Sequence, residues 1–495
     1  MIYWLILIPL IMSAVAFIMP SNRWRPWLLP LGAFAHFGLV VMMIFLSGDE
    51  SELSGWEGWL RLDALAKVVL GFLSILFLLC SLYAPGYLRL REDRPNRIFC
   101  ANLFALLATM TLVALAHHLG LMWVAMEAIT LTSAPLLYFN RNARSLEATW
   151  KYLLIGSVGI ALALLGSFFL AYSALKGLGD APSGGLPATL LFDRLLQDAP
   201  RLSPPWLHAA FVLLFIGYGT KLGLAPMHTW KPDAYGEAPG IVGTLLASGV
   251  TSCAFLAILR VYMICRAGAE AEFARNVMIG MGLLSMVVAA VFMVRQRDFK
   301  RMLAYSSVEH MGILVLGVGI GGLALYGALL HLITNGLTKG VLFLSAGNIH
   351  RAYGSKLTDQ VQGALRRVPL SGAMFLGGFL AITGSPPFGP FVSAFTILNG
   401  AFSSGQYFAG GLFLLLLGLV FVGMGATVLT VVLGAPPQPD SRSTTSPALT
   451  SFQDSISTGA PILLIMALVL AIGIYIPPPV ESLLRGAAAL LEGRP

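Results

Sequence analysis

Gly217-Tyr218-Gly219-Thr220-Lys221-Leu222-Gly223-Leu224-Ala225-Pro226-Met227-His228-Thr229-Trp230 sets a lysine inside an apolar helix and breaks that helix within about a turn. An ammonium in hydrocarbon costs at least ~2.5–3.5 kcal/mol, so an ionisable residue there is functional by default. Pro226 has no N–H to give the helical ladder and its ring collides with the carbonyl of Leu222, which frees polar backbone beside the lysine. Irregular backbone at membrane depth survives only against protein or a wet cavity. The segment points to water and a titratable group deep in a bilayer.

The rest of the chain supplies that bilayer. Of 495 residues, 57% are hydrophobic and 11% charged, with a mean hydropathy of +0.81. Soluble domains carry roughly 25% charged residues. Apolar runs recur along the whole length, which predicts an all-α, polytopic membrane protein folded as one transmembrane domain, 1–495. Window counting gives about fourteen spans, near 2–20, 27–47, 63–84, 98–117, 119–138, 147–172, 206–225, 241–265, 273–294, 302–319, 323–349, 370–399, 408–434 and 459–477. The N-terminus reads as the first span and not as a cleaved signal. The stretch 173–205 is expected to hold a short interfacial helix, and 435–458, rich in Pro, Ser and Thr, to be flexible. The net charge of +8 is no nucleic-acid footprint, because the basic residues sit in short loops between spans. Their bias places both termini outside, on a bacterial inner membrane; that assignment puts Lys231 in an inner loop and Arg260 in an outer one.

A second break, Gly384-Ser385-Pro386-Pro387-Phe388-Gly389-Pro390, interrupts span 12 as Pro226 interrupts span 7. Broken spans five apart predict two five-span repeats, 98–265 and 273–434, flanked by 1–97 and 435–495. An odd number of spans inverts one copy relative to the other, and inverted repeats with broken helices carry an ion path near the midplane.

Other polar residues fall in the same apolar surroundings. Glu127, in the middle of span 5, is the natural partner of Lys221; the pair reads as a charge switch, with a static packing salt bridge as the bland alternative. His331, Asn335 and Lys339 recur every fourth residue of span 11 and share one stripe, read as a wet relay or as interhelical hydrogen bonding. His228 stands just past the Pro226 break, within reach of Lys221 through water, or as a loop-holding group. Glu309 and His310 are read as opening span 10, either for proton entry or, favoured, for ordering the basic loop Arg295–Arg301. Asp233 and Glu237 read as structural, and His117 and His118 as surface residues of a turn. Cys80, Cys100, Cys253 and Cys265 lack metal or haem spacing and read as small core residues. With no phosphate loop, dinucleotide glycines or cluster ligands, no cofactor, no metal and no redox centre is expected.

The run Lys221-Leu222-Gly223-Leu224-Ala225-Pro226-Met227-His228-Thr229-Trp230-Lys231-Pro232-Asp233-Ala234-Tyr235-Gly236-Glu237-Ala238-Pro239 resembles the signature of the antiporter-like membrane subunits of respiratory complex I and related hydrogenases. Ser307-Val308-Glu309-His310-Met311-Gly312 and the Gly-Ser-Pro-Pro-Phe-Gly break look like the hydrogenase-4 component F type within that family. The resemblance implies a fourteen-helix subunit in a membrane arm, partnered by other membrane subunits and by soluble redox subunits, and moving protons or sodium. By position it marks Glu127, Lys221 and Lys339 as path residues. It also marks three departures: Ala247 or Ser248 where relatives often carry a span 8 lysine or histidine, Asn335 for a second span 11 histidine, and Ala394 for the group that closes the path on span 12. The long lateral helix of the largest complex I member is expected to be absent. A scaffold subunit with a degenerate path, or a subunit of a multisubunit Na+/H+ antiporter, are the alternative readings.

Overall fold

The computed structural model describes residues 1–45, 53–91, 94–178, 190–435 and 452–493. Its helices are α1 (Ile2–Ile18), α2 (Arg25–Phe45), α3 (Ala64–Arg89), α4 (Arg97–Leu115), α5 (Leu119–Leu137), α6 (Ala143–Leu178), α7 (Phe192–Asp198), α8 (Pro204–Leu222), α9 (Trp230–Glu237), α10 (Gly240–Thr244), α11 (Thr251–Ala267), α12 (Ala271–Met293), α13 (Phe299–Ile320), α14 (Leu323–Tyr353), α15 (Ala364–Arg367), α16 (Pro369–Ile382), α17 (Gly389–Ser403), α18 (Tyr407–Leu433), α19 (Ile456–Ile474) and α20 (Pro478–Glu492). One two-residue hairpin, Ser54–Gly55 with Leu60–Arg61, is the sheet found among the described residues.

Among the described residues, eleven helical segments are long and apolar enough to cross a membrane. The other segments expected to span are shorter or interrupted: α1, the α8–α9 pair and the α16–α17 pair. Expected span 8 is one helical body, Gly240–Ala267, whose middle, Leu245–Val250, winds into a π-helical turn. That turn contains Ala247 and Ser248, and π-bulges gather at functional sites. The flexible stretch expected at 435–458 lies largely outside the described residues. A short helix does occur in 173–205, as α7. After the last span, α20 was not anticipated; it is amphipathic, burying Leu484, Ala487 and Leu491 against α3 and α14.

Segments α10–α11 and α13 are buried along their apolar length and α14 almost completely, so they form the interior; α2, α6, α12, α18 and α19 present most of their surface outward. Small residues bring the backbones together, as expected where lipid supplies no hydrophobic drive between helices. On α12 and α13, Gly282 and Gly312 face one another; a Cβ on either would lie 2.8 or 2.6 Å from the other's carbonyl oxygen. On α6 and α8, a Cβ at Gly217 would lie 2.6 Å from both Gly159 O and Ala163 N. Polar caps finish the helix ends: Asp298 accepts from the N–H groups of Lys300 and Arg301 at the start of α13, and Gly223, at φ +80°, closes α8.

Candidate functional site

The break after α8 follows directly from the quoted sequence. Gly223 adopts the left-handed conformation that suits a residue without Cβ, Pro226 stops the ladder, and the chain re-enters helix at Trp230 as α9. Trp230 anchors the return, its indole N–H donating to Thr220 O at 2.9 Å. The second break lies between α16 and α17, around Pro386 and Pro387.

Lys221 is 1% exposed. Its ammonium fits against α6 because residue 156 is glycine; a Cβ there would sit 2.6 Å from Nζ. It donates to Thr130 Oγ1 of α5 and lies 5.0 Å above the Tyr152 ring. Thr130 in turn donates to Glu127 Oε2 at 3.2 Å, and Ser157 donates to Glu127 Oε1 at 3.1 Å. Glu127 and Lys221 are thus brought together, but not as the direct ion pair expected: a threonine hydroxyl stands between them. Glu127 is half-buried, at the outer surface of α5.

A second cluster forms where α13, α14 and α17 meet. Lys339, fully buried, donates to Ser306 Oγ at 2.8 Å. His310 Nδ1 and His331 Nε2 are 3.0 Å apart, and His331 Nδ1 is 2.8 Å from Ser393 Oγ. Ser393 also meets Thr334 Oγ1 at 3.2 Å. Glu309, 1% exposed, has no hydrogen bond to either carboxylate oxygen, with His310 Nε2 at 3.9 Å from Oε2. Asn335 Oδ1 is buried and equally unpartnered. The stripe therefore meets polar groups at His331 and at Lys339, with the unpartnered Asn335 oxygen between them.

Several expectations require correction. Glu309 and His310 do not open their span or order the loop Arg295–Arg301; they sit buried in the middle of α13, and His310 bonds across to α14. That loop is ordered instead by Asp298 and by the ion pairs Arg301–Asp233 (2.9 Å) and Lys356–Asp298 (3.3 Å). His228 is buried against Tyr305, with Lys231 and not Lys221 as its charged neighbour. Lys231 is no loop residue but is completely buried. Arg260 lies buried in α11, bonded to Asp63. His117 is buried with Nε2 3.0 Å from Asp193, and His118 caps α5 and stacks on Trp59. The four cysteines are buried and free, as expected.

Two further charged clusters lie at or near the ends of the spans. On one face, Asp233 bridges Lys151 and Arg301, and Glu237 pairs with Lys356 at 2.5 Å. They line the mouth of a cavity of about 1040 Å³ that also presents Arg91, Arg144 and Arg297, so Asp233 and Glu237 do have the structural role expected of them. Elsewhere, His117 and Arg61 hold Asp193 below the ordinary carboxylate range. No group of three or more metal-ligating side chains occurs among the described residues.

Sequence reasoning missed Lys231, Thr130, Ser306 and Ser393. Lys231 was hidden by its hydrophilic neighbours Pro232 and Asp233, which make the segment look like a loop. The hydroxyls carry no charge and leave no mark on a hydropathy profile.

Residues 116–421 match the family model described as NADH:quinone oxidoreductase/Mrp antiporter, TM. The hydrogenase-4 component F homolog of Methylacidiphilum infernorum is 33% identical over 475 residues, covering 95% of this chain and 96% of that one. Among solved structures, a chain of an archaeal membrane-bound sulfane sulfur reductase shares the fold with a TM-score of 0.84 at 20% identity, covering 100% of this chain and 98% of its own. A chain of the Mrp complex from Dietzia sp. DQ12-45-1b does so with a TM-score of 0.84 at 19% identity, covering 99% and 97%. The chain belongs to the family of antiporter-like membrane subunits shared by NADH:quinone oxidoreductases, hydrogenase-4-type complexes and Mrp antiporters.

Proposed function

We propose that the chain is a proton-translocating subunit in the membrane arm of a redox complex of the complex I and hydrogenase-4 kind. The observation that carries this reading is a set of buried lysines that make no direct ion pair among the described residues: Lys221 and Lys339 are each held by a hydroxyl. Structural buried lysines need a carboxylate close by to offset desolvation; groups held by hydroxyls are poised to exchange protons. Redox work in soluble partner subunits alters the Glu127–Thr130–Lys221 contact, and the Lys221 proton passes toward Lys339. From there Glu309, His310 and His331 lead to Ser393. The unpartnered oxygens of Glu309 and Asn335 support hydration of this track, and Ser393, adjacent to Ala394, supplies the last polar group on α17. His228 belongs to the same interior.

In this reading fourteen spans cross a bacterial inner membrane with both termini outside. Repeats 98–265 and 273–434 form inverted copies, flanked by 1–97 and 435–495. Support comes from the two breaks and from the packing of α6 on α8 and α9, either side of the first break, which recurs as α14 on α16 and α17, either side of the second. No cofactor is assigned to the chain.

The test is proton uptake by liposomes holding the whole complex, with Lys221→Ala. Uptake should fall roughly tenfold or more, the scale of about 1.4 kcal/mol, while the purified complex keeps its subunit composition. Undiminished uptake would leave a scaffold subunit, the reading that Ala247 and Ala394 favour. Lys221-dependent sodium uptake without redox turnover would instead select the Na+/H+ antiporter reading, which the fold of the Mrp chain favours.

A further inference from the structure

We propose that Lys231 is the relay that takes the proton from Lys221 and delivers it to Lys339. This rests on the function proposed above and adds a residue to it. Lys231 stands in the first turn of α9, just past the break, yet no part of it reaches the surface. Its stem folds back over Gly223: a Cβ there would lie 2.1 Å from Lys231 Cε and 2.7 Å from Nζ. The ammonium is thereby held beside the end of α8, two positions along the chain from Lys221. On its other side Nζ donates to Ser307 Oγ at 3.3 Å. Ser306, the preceding residue of α13, accepts from Lys339 at 2.8 Å. Consecutive hydroxyls of one helix hold the two lysines.

The surroundings distinguish a relay from a packing residue. The charged or titratable groups facing Lys231 are Lys339 from α14, His228 from the break and Tyr235 from α9, whose ring lies 5.7 Å below Nζ. Among the described residues no carboxylate forms an ion pair with it. A buried lysine whose charged neighbour is another lysine is a poor packing device; each ammonium disfavours protonation of the other, so a proton that arrives is passed on and not held. Lys221 points away, toward Gly156 and Thr130, with Tyr152 and Trp230 packed alongside. A route from Lys221 to Lys339 therefore meets Lys231 first. In the step, the Lys221 ammonium gives a proton to the neutral amine of Lys231 through water, leaving Lys221 neutral. Lys231 then passes one on through the serine hydroxyls to the amine of Lys339.

The test uses the whole complex in liposomes and reads protons moved per electron, beside subunit composition. Lys231→Met should lower that ratio roughly tenfold or more, with the complex assembled. Lys231→Arg keeps the charge, but a guanidinium does not give up its proton, so it should fail equally. Lys231→His should restore part of the ratio. Full translocation in the Met or Arg variant while Lys221→Ala collapses would overturn the relay and leave the proposed function standing. Full translocation in Lys221→Ala would overturn both. Should the Met variant not assemble, the Arg and His variants decide, and equal ratios in the two would overturn the relay.

Discussion

A single hydroxyl controls the contact between the two charges that the sequence pairs. Thr130 accepts from Lys221 and donates to Glu127, so Thr130→Val, which keeps shape and removes the hydroxyl, should break the contact while the fold stays. Hydrogen bonds to charged groups are worth about 1.5–3 kcal/mol, so proton uptake in liposomes should fall about tenfold or more; Thr130→Ser should retain most of it. Gly156 makes a second, steric prediction. A Cβ at 156 crowds the tip of Lys221, at 2.6 Å from Nζ and 3.4 Å from Cε, and makes ordinary contact with Thr130 Cγ2 at 3.5 Å; a flexible tip can swing aside. Gly156→Ala should therefore lower uptake while leaving thermal stability within about 0.5 kcal/mol of the parent, the scale of a surface change. At this scale the sequence is legible where a charge contradicts its surroundings, as at Lys221 and Lys339. It is silent on Thr130 and Ser393, whose polarity an apolar helix tolerates. Lys231 misleads, because burial is set by how α9 folds back and not by its neighbours in sequence.

Helices impose a different penalty from side-chain tips. A Cβ at Gly217 would meet backbone on α6, 2.6 Å from both Gly159 O and Ala163 N, and neither can move without moving its helix. Gly217→Ala should cost about 1–3 kcal/mol by overpacking, seen as a lower unfolding temperature in detergent and contrasting with the stability of Gly156→Ala. The helix α7 carries a pH prediction. His117 and Arg61 hold the Asp193 carboxyl below its ordinary 3.8. A depressed carboxylate stabilises the fold above its ordinary value, and that contribution is lost as pH falls through the folded one. Protease cleavage near α7 should rise as pH drops below about 4, and Asp193→Asn should remove that dependence; because Asp193 is half-exposed, solvent keeps the effect small. Both helix breaks were legible, since proline and glycine act locally. The amphipathic α20 was not, because hydropathy windows average its two faces away. The π-turn at Leu245–Val250 leaves no residue signature either.

The molecule as a whole joins one cluster near the surface of α5 and α6 to another enclosed by α13, α14 and α17. Its architecture was readable because some twenty apolar residues in a row have few options other than a membrane helix. The placement of α9, α13 and α14 around the interior was not, because it depends on contacts distant in sequence. That placement decides whether the clusters act in series or in parallel. If protons pass from Lys221 to Lys339, each lysine is indispensable. Lys221→Ala, Lys339→Ala and the double variant should then show the same residual proton uptake, the second change adding nothing. Two independent routes would give the opposite pattern: partial loss in each single variant, and losses that sum in the double one, as distant sites that do not interact usually behave. The serine pair Ser306 and Ser307, touched by Lys339 on one residue and by Lys231 on the next, places the join on α13. Series behaviour is therefore the expected outcome, and summing losses in liposome uptake would show that the two clusters never shared a proton.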